Sequence, residues 1–138
     1  MAQLRLSYQE FQKRDSEVLQ ITCSTPQEAQ LYFRQYPLGF PYLCDPERAV
    51  YNLYGIPIVQ GDVKTFMASV AAKVQDRLFH GEKTPSPIPY MKRYGSSVPE
   101  QALLIVDKSG IIRYIHTTGP IGGLPSNAEY LRQLDRLQ

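Results

Sequence analysis

The sequence predicts an α/β domain, and three features carry that prediction. Two helix starts are spelled out in capping residues, Thr25-Pro26-Gln27-Glu28 and Ser126-Asn127-Ala128-Glu129, each with an N-cap hydroxyl and a glutamate three positions on. Short apolar runs, SEVLQITC and FPYLC, lie between segments of helical periodicity and are too brief to be core helices. QALLIVDKSGIIRYIHT reads as a β-hairpin, two apolar strands joined through Asp107-Lys108-Ser109-Gly110. The element order α-β-α-β-α-α-β-β-α then calls for an α/β sandwich, a mixed sheet with helices on both faces, in a single domain over residues 1–138.

Taken in order, Leu4, Tyr8 and Phe11 recur at helical spacing, and the opening helix is expected to end near Lys13-Arg14-Asp15. Val18, Leu19 and Ile21 are nearly continuous, the pattern of a strand covered on both faces. The helix begun at Thr25 is expected to run to Gln35 and Tyr36, where Pro37 and Gly39 break it. After FPYLC, Asp45-Pro46-Glu47 caps a helix that Gly55 closes from the C′ position. A longer helix follows from about Val63 to Phe79, with Phe66, Val70, Val74 and Leu78 repeating every four residues. HGEKTPSPIPYMKRYGSSVP reads as a long irregular loop. The final helix presents Leu131, Leu134 and Leu137.

The totals exclude several classes of function. Fifteen basic against thirteen acidic residues give a net charge of +2, too small and too evenly spread to argue for nucleic acid or a membrane surface. No apolar run approaches the roughly 18 residues of a membrane span, and MAQLRLSYQEF lacks the apolar centre of a secretory signal. Two cysteines do not make a disulfide scaffold, so the expected address is the cytoplasm. His80 and His116 are far apart and not in ligand spacing with the cysteines, which argues against zinc; no metal or cofactor is implied. Gly119 to Pro125, GPIGGLP, lacks phosphate-loop spacing and reads as a turn. The tyrosines and prolines of PSPIPYMKRY offer a binding surface or a loop crossing the surface.

TPQEAQLYF, then FPYLCDPERAVYNLYGI, then LLIVDKSGIIRYIH and a closing helix together resemble the peroxiredoxin-like alkyl hydroperoxide reductase C / thiol-specific antioxidant (AhpC/TSA) family. The likeness covers most of the chain and is weakest over Gln60–Pro99. It implies a thioredoxin-like fold, thiol oxidoreductase and antioxidant chemistry, and a thiol reductant protein as partner. In that family a strand precedes the first helix, and the peroxidatic cysteine sits on the turn between them. Here Met1 falls inside that helix, so the strand and the turn are expected to be absent, and the nucleophile carries over to no residue. The family's supporting arginine falls near Gln101 when Asp107 is aligned, another departure. A fold lacking that central strand would expose two inner strand edges. A homodimer that fills the gap is the expected solution, which sedimentation at micromolar concentration checks.

Cys23 and Cys44 remain the candidate redox thiols. Each ends a strand and precedes a helix, where ligand sites of open α/β sheets lie and where a helix N-terminus favours a thiolate. Asp45 opposes this at Cys44. The alternative is that both are small core residues, as free cysteines commonly are. If the two strands are parallel neighbours, the thiols end at one rim and a redox-sensitive pair is a further option. Three functions therefore stay open: a thiol peroxidase family member without conventional activity in this chain, a non-catalytic interaction or dimerisation module, and a redox sensor through Cys23 with Cys44.

Overall fold

Helices and strands follow the predicted order as far as the third helix, and two further strands then stand where the sequence read a connection, IPIVQGD, and a loop. The computed structural model describes residues 2–62, 88–120 and 122–137, with helical positions between at Met67, Ala71, Val74, Arg77 and Leu78. The elements are α1 (Ala2–Gln12), β1 (Gln20–Thr22), α2 (Pro26–Phe33), β2 (Tyr42–Cys44), α3 (Ala49–Leu53), β3 (Ile58–Gln60), α4 (Ile88–Tyr94), β4 (Ser97–Pro99), β5 (Gln101–Val106), β6 (Ile112–Thr118) and α5 (Asn127–Asp135). Strand pairing is mixed, as expected, but among the described residues it forms three ladders of two strands and not one continuous sheet. β1 and β2 are parallel, while β3–β4 and β5–β6 are antiparallel.

The α2 start forms as its residues dictate. Thr25 Oγ1 accepts from the Glu28 amide at 3.3 Å, and the Glu28 carboxylate accepts from the Thr25 amide at 2.8 Å. The second capping box does not form. Ser126 has the extended N-cap backbone but makes no side-chain cap bond, and the Glu129 carboxylate, instead of reaching back to the Ser126 amide, accepts from Arg132 and Gln133 along α5. Within α5 it is Tyr130 that is buried, and Leu137 of the expected leucine face is 45% exposed.

β1 is shorter than SEVLQITC suggested. The Glu17 carboxylate accepts from the Tyr8 hydroxyl at 2.7 Å and from the Val18 amide at 2.8 Å, which takes the preceding residues out of the ladder. Leu19 is 54% exposed, so this run is not covered on both faces. α3 starts at Ala49, three residues later than Pro46 at N1 would place it. Its C-terminus is as expected: Gly55 has φ 64°, and its amide and that of Ile56 bond back to Asn52 and Tyr51. Of the long helix, Phe66, Val70 and the adjacent His80 lie outside the described residues, and Val74 and Leu78 are helical and exposed.

The segment read as an irregular loop contains α4 and β4. Pro89 falls in the first turn of α4, where a missing amide costs nothing. β4 pairs with β3 through Ile58–Pro99, Val59–Val98 and Gln60–Ser97. The hairpin forms with a bulge at Ile105/Val106. In its turn the Asp107 carboxylate accepts from the amides of Ser109 and Ile111, and Gly110 takes φ 80°.

Among the described residues the buried apolar ones are Phe11, Cys23, Ala29, Tyr32, Phe40 and Tyr130. α1 and α5 pack together, with Asn127 Nδ2 donating to Ser7 Oγ at 2.8 Å and Arg14 paired to Asp135 at 2.6 Å. The Tyr8 and Phe40 rings meet at 5.4 Å. Gly39 permits that approach, since a Cβ there would stand 3.0 Å from the Tyr8 ring. Phe33 of α2 packs edge-on against Tyr42 of β2 at 4.7 Å.

Candidate functional site

Cys23 follows β1 directly. Thr22 pairs with Cys44, so strand alternation sends the Cys23 side chain to the opposite face from Cys44. The two are free thiols, Cys23 only 5% exposed and Cys44 half-buried. Cys44 shares its face with α2, and two influences push its thiol up: burial first, then the Glu28 carboxylate.

Cys23 faces a different neighbourhood, built by α3 and α4. The Asp45 carboxylate, itself buried, reaches past the turn and accepts from the amides of Ala49 at 2.8 Å, Val50 at 2.9 Å and Tyr51 at 3.4 Å. The Arg48 amide bonds to the Asp45 carbonyl, and Arg48 itself takes a left-handed φ of 57°, a conformation that costs about 1 kcal/mol for a residue with a Cβ. That turn carries the Arg48 side chain inward. Its guanidinium donates to Ser97 O and Ser97 Oγ, both at 2.8 Å, and to Tyr90 Oη at 3.0 Å. It lies over the Tyr94 ring at 3.9 Å, within cation–π range.

Tyr51 and Tyr94 meet the side of β1 that no described strand pairs. Gln20 and Thr22 turn their backbone groups to β2, which leaves Ile21 facing away from it. The Tyr51 hydroxyl donates to Ile21 O at 3.2 Å, and the Tyr94 hydroxyl lies in bonding reach of both Cys23 O and Pro46 O. Side-chain hydroxyls thus satisfy carbonyls that the sequence left as open edge groups.

Burial pushes the Cys23 thiol up, and this outweighs the Arg48 charge and the Tyr51 hydroxyl, both of which favour the thiolate. The depression expected from the helix terminus is therefore not the outcome. Tyr51 is likewise raised, by burial first and then by its closeness to Cys23. The arrangement stores a neutral thiol beside a fixed cation.

α4 is tied to α2 as well. Arg93 forks onto both Glu28 oxygens at 3.1 and 3.2 Å, so one carboxylate serves the α2 cap and the α4 anchor. The Thr25 amide is the main cause that holds the Glu28 carboxyl below its usual range, with Arg93 adding to it. The folded state therefore prefers the carboxylate. That stabilisation is complete above the unfolded-chain value of about 4.3 and is lost as pH falls through the lower folded value. Glu28→Gln is expected to flatten the acid limb of a plot of urea midpoint against pH; an unchanged limb would show that Glu28 is not linked to folding.

Sequence reasoning named Cys23 and Cys44 and read Tyr90 and Tyr94 only as part of a surface stretch, apart from the thiols; it missed Arg48 and Tyr51. The available signals were an arginine just before an apolar helix and tyrosines spaced i, i+4 in PYMKRY. Gln101 donates to Pro120 O, remote in role from the thiols. His116 Nε2 lies 3.2 Å from Gly123 O, and the Gly119–Pro125 segment turns with Gly122 and Gly123 at positive φ. Among the described residues no group of three His, Cys, Asp or Glu side chains could hold a metal ion, and no helix is long and apolar enough to cross a membrane.

Two comparisons with known proteins gave matches. The AhpC/TSA family model matches residues 1–115. Mycobacterium bovis AhpC superposes with a TM-score of 0.62 at 20% identity, over 99% of this chain and 58% of that one. At that identity the likeness speaks for a thioredoxin-like fold, and the chain spans little more than half the length of that relative. No curated protein matches the sequence.

Proposed function

The chain belongs to the AhpC/TSA family, and from that membership we propose that it is a peroxiredoxin-like thiol oxidoreductase domain whose own two thiols do not sustain conventional peroxidase turnover. One observation carries the reading: Cys23, the thiol nearest a cation, is 5% exposed, and burial keeps it protonated. Peroxide cleavage needs a thiolate in contact with the peroxide oxygen. At Cys23 both contact and ionisation are opposed. At Cys44 burial and Glu28 both disfavour the thiolate.

The test is peroxide consumption with dithiothreitol as reductant, comparing the chain with a variant carrying Cys23→Ser and Cys44→Ser. The expected result is equal, uncatalysed rates. Turnover that disappears in Cys23→Ser alone would overturn the reading.

A further inference from the structure

Arg48 is a buried cation with no ion pair among the described residues. It is 8% exposed, no carboxylate of the described residues pairs with it, and its hydrogen bonds go to neutral oxygens of Ser97 and Tyr90. Its Nε–H is buried and has no acceptor. A charge removed from water in this way is costly unless an anion is supplied. The group beside it that can become an anion is the Cys23 thiol, which the Arg48 charge and the Tyr51 hydroxyl both favour as thiolate.

The contacts described between α4 and its surroundings are mostly polar. α4 is seven residues long, and its Ile88 and Met91 are 58% and 48% exposed. Its anchors include the Tyr90 hydroxyl on Ser97 O, the Tyr94 hydroxyl on Cys23 O and Pro46 O, and the Arg93 fork on Glu28. Segments with few buried apolar contacts open locally at less cost than the whole fold. Tyr94 lies over the Arg48 guanidinium and its hydroxyl bonds the Cys23 carbonyl, so lifting α4 releases both contacts.

We propose that Cys23 is a latent modification site for small anionic disulfide-type electrophiles, with Arg48 as the counter-ion of its thiolate and α4 as a polar latch that seals it. On opening, the thiol proton passes to solvent and the thiolate sulfur attacks one sulfur of the disulfide. A new S–S bond to Cys23 forms, and the other sulfur leaves as a thiolate with the electron pair of the broken bond. Arg48 attracts an anionic reagent and disfavours a cationic one. Asp45, the other charged group described near the thiol, is occupied by the α3 amides. The proposal goes beyond the peroxidase reading and does not depend on it.

The experiment uses the full chain with Cys44→Ser, so that Cys23 is the one remaining thiol. Two probes of similar size, the sulfonatoethyl and trimethylammonioethyl methanethiosulfonates, are followed by intact mass; the thiolate displaces methanesulfinate from each. The native chain is expected to react slowly, with a several-fold preference for the anionic probe beyond the ratio on the same chain unfolded in urea. Arg93→Gln, which cuts the Glu28 anchor at a partly exposed position, is expected to raise both rates about three- to ten-fold and to keep the preference. The proposal is overturned if the rates in Arg93→Gln match the parent, since Cys23 would then be reached only by global unfolding. It is equally overturned if the native anionic preference is no greater than that of the unfolded chain. Neither arm needs a change at Arg48.

Discussion

Asp45→Ala is expected to lower the free energy of unfolding by about 3 kcal/mol. The buried carboxylate takes up three amides at the start of α3, a helix of five residues whose formal N-cap, Arg48, makes no side-chain cap bond. Losing a cap costs up to about 2 kcal/mol, and a buried amide left without an acceptor adds about 1 kcal/mol or more. Asp45→Asn keeps one acceptor oxygen and should recover part of the loss. The effect reaches the site as well, because α3 carries Tyr51 and the turn before it carries Arg48. Urea unfolding of both variants is the check; a loss below about 0.5 kcal/mol for Asp45→Ala would mean that water replaces the carboxylate.

Phe40→Ala should cost as much or more, about 3–4 kcal/mol. Phe40 is 5% exposed and packs against the Tyr8 ring at 5.4 Å, a contact made possible by the absence of a Cβ at Gly39. Truncation removes most of an aromatic side chain from a small core that cannot collapse around the gap without moving α1. Phe40→Leu should cost about half as much, since it fills part of the volume. Equal losses for the two variants would argue that the ring contact, and not volume, sets the cost.

Much of the fold was legible because its signals are local. Thr25-Pro26-Gln27-Glu28 forms the capping box its residues encode, Gly55 adopts the positive φ of a helix C′ residue, and the hairpin turns at Asp107–Gly110. Where a local signal met a competing partner, near or far, the sequence misled. Ser126 and Glu129 have capping-box spacing, but Glu129 finds Arg132 and Gln133 on its own helix. Pro and Gly in residues 81–99 spoke for a loop, while α4 and β4 are fixed by Tyr90, Arg93, Tyr94 and the β3 ladder. The site was half legible for the same reason. Cys23 stands out as a residue type at a strand end, but Arg48 reaches it only through a left-handed turn, and Tyr94 only from 71 positions along the chain.

The account rests on Cys23 being a neutral thiol under cover in the native fold, and its ionisation can be read directly. Carbon-labelled cysteine, introduced into the Cys44→Ser chain, gives a Cβ chemical shift that reports thiol or thiolate without chemical trapping. The expected result is a thiol signal at neutral pH that titrates above the ordinary cysteine range, because burial outweighs Arg48. A thiolate signal at neutral pH in the folded chain would contradict the account, and would make Cys23 an open, activated nucleophile.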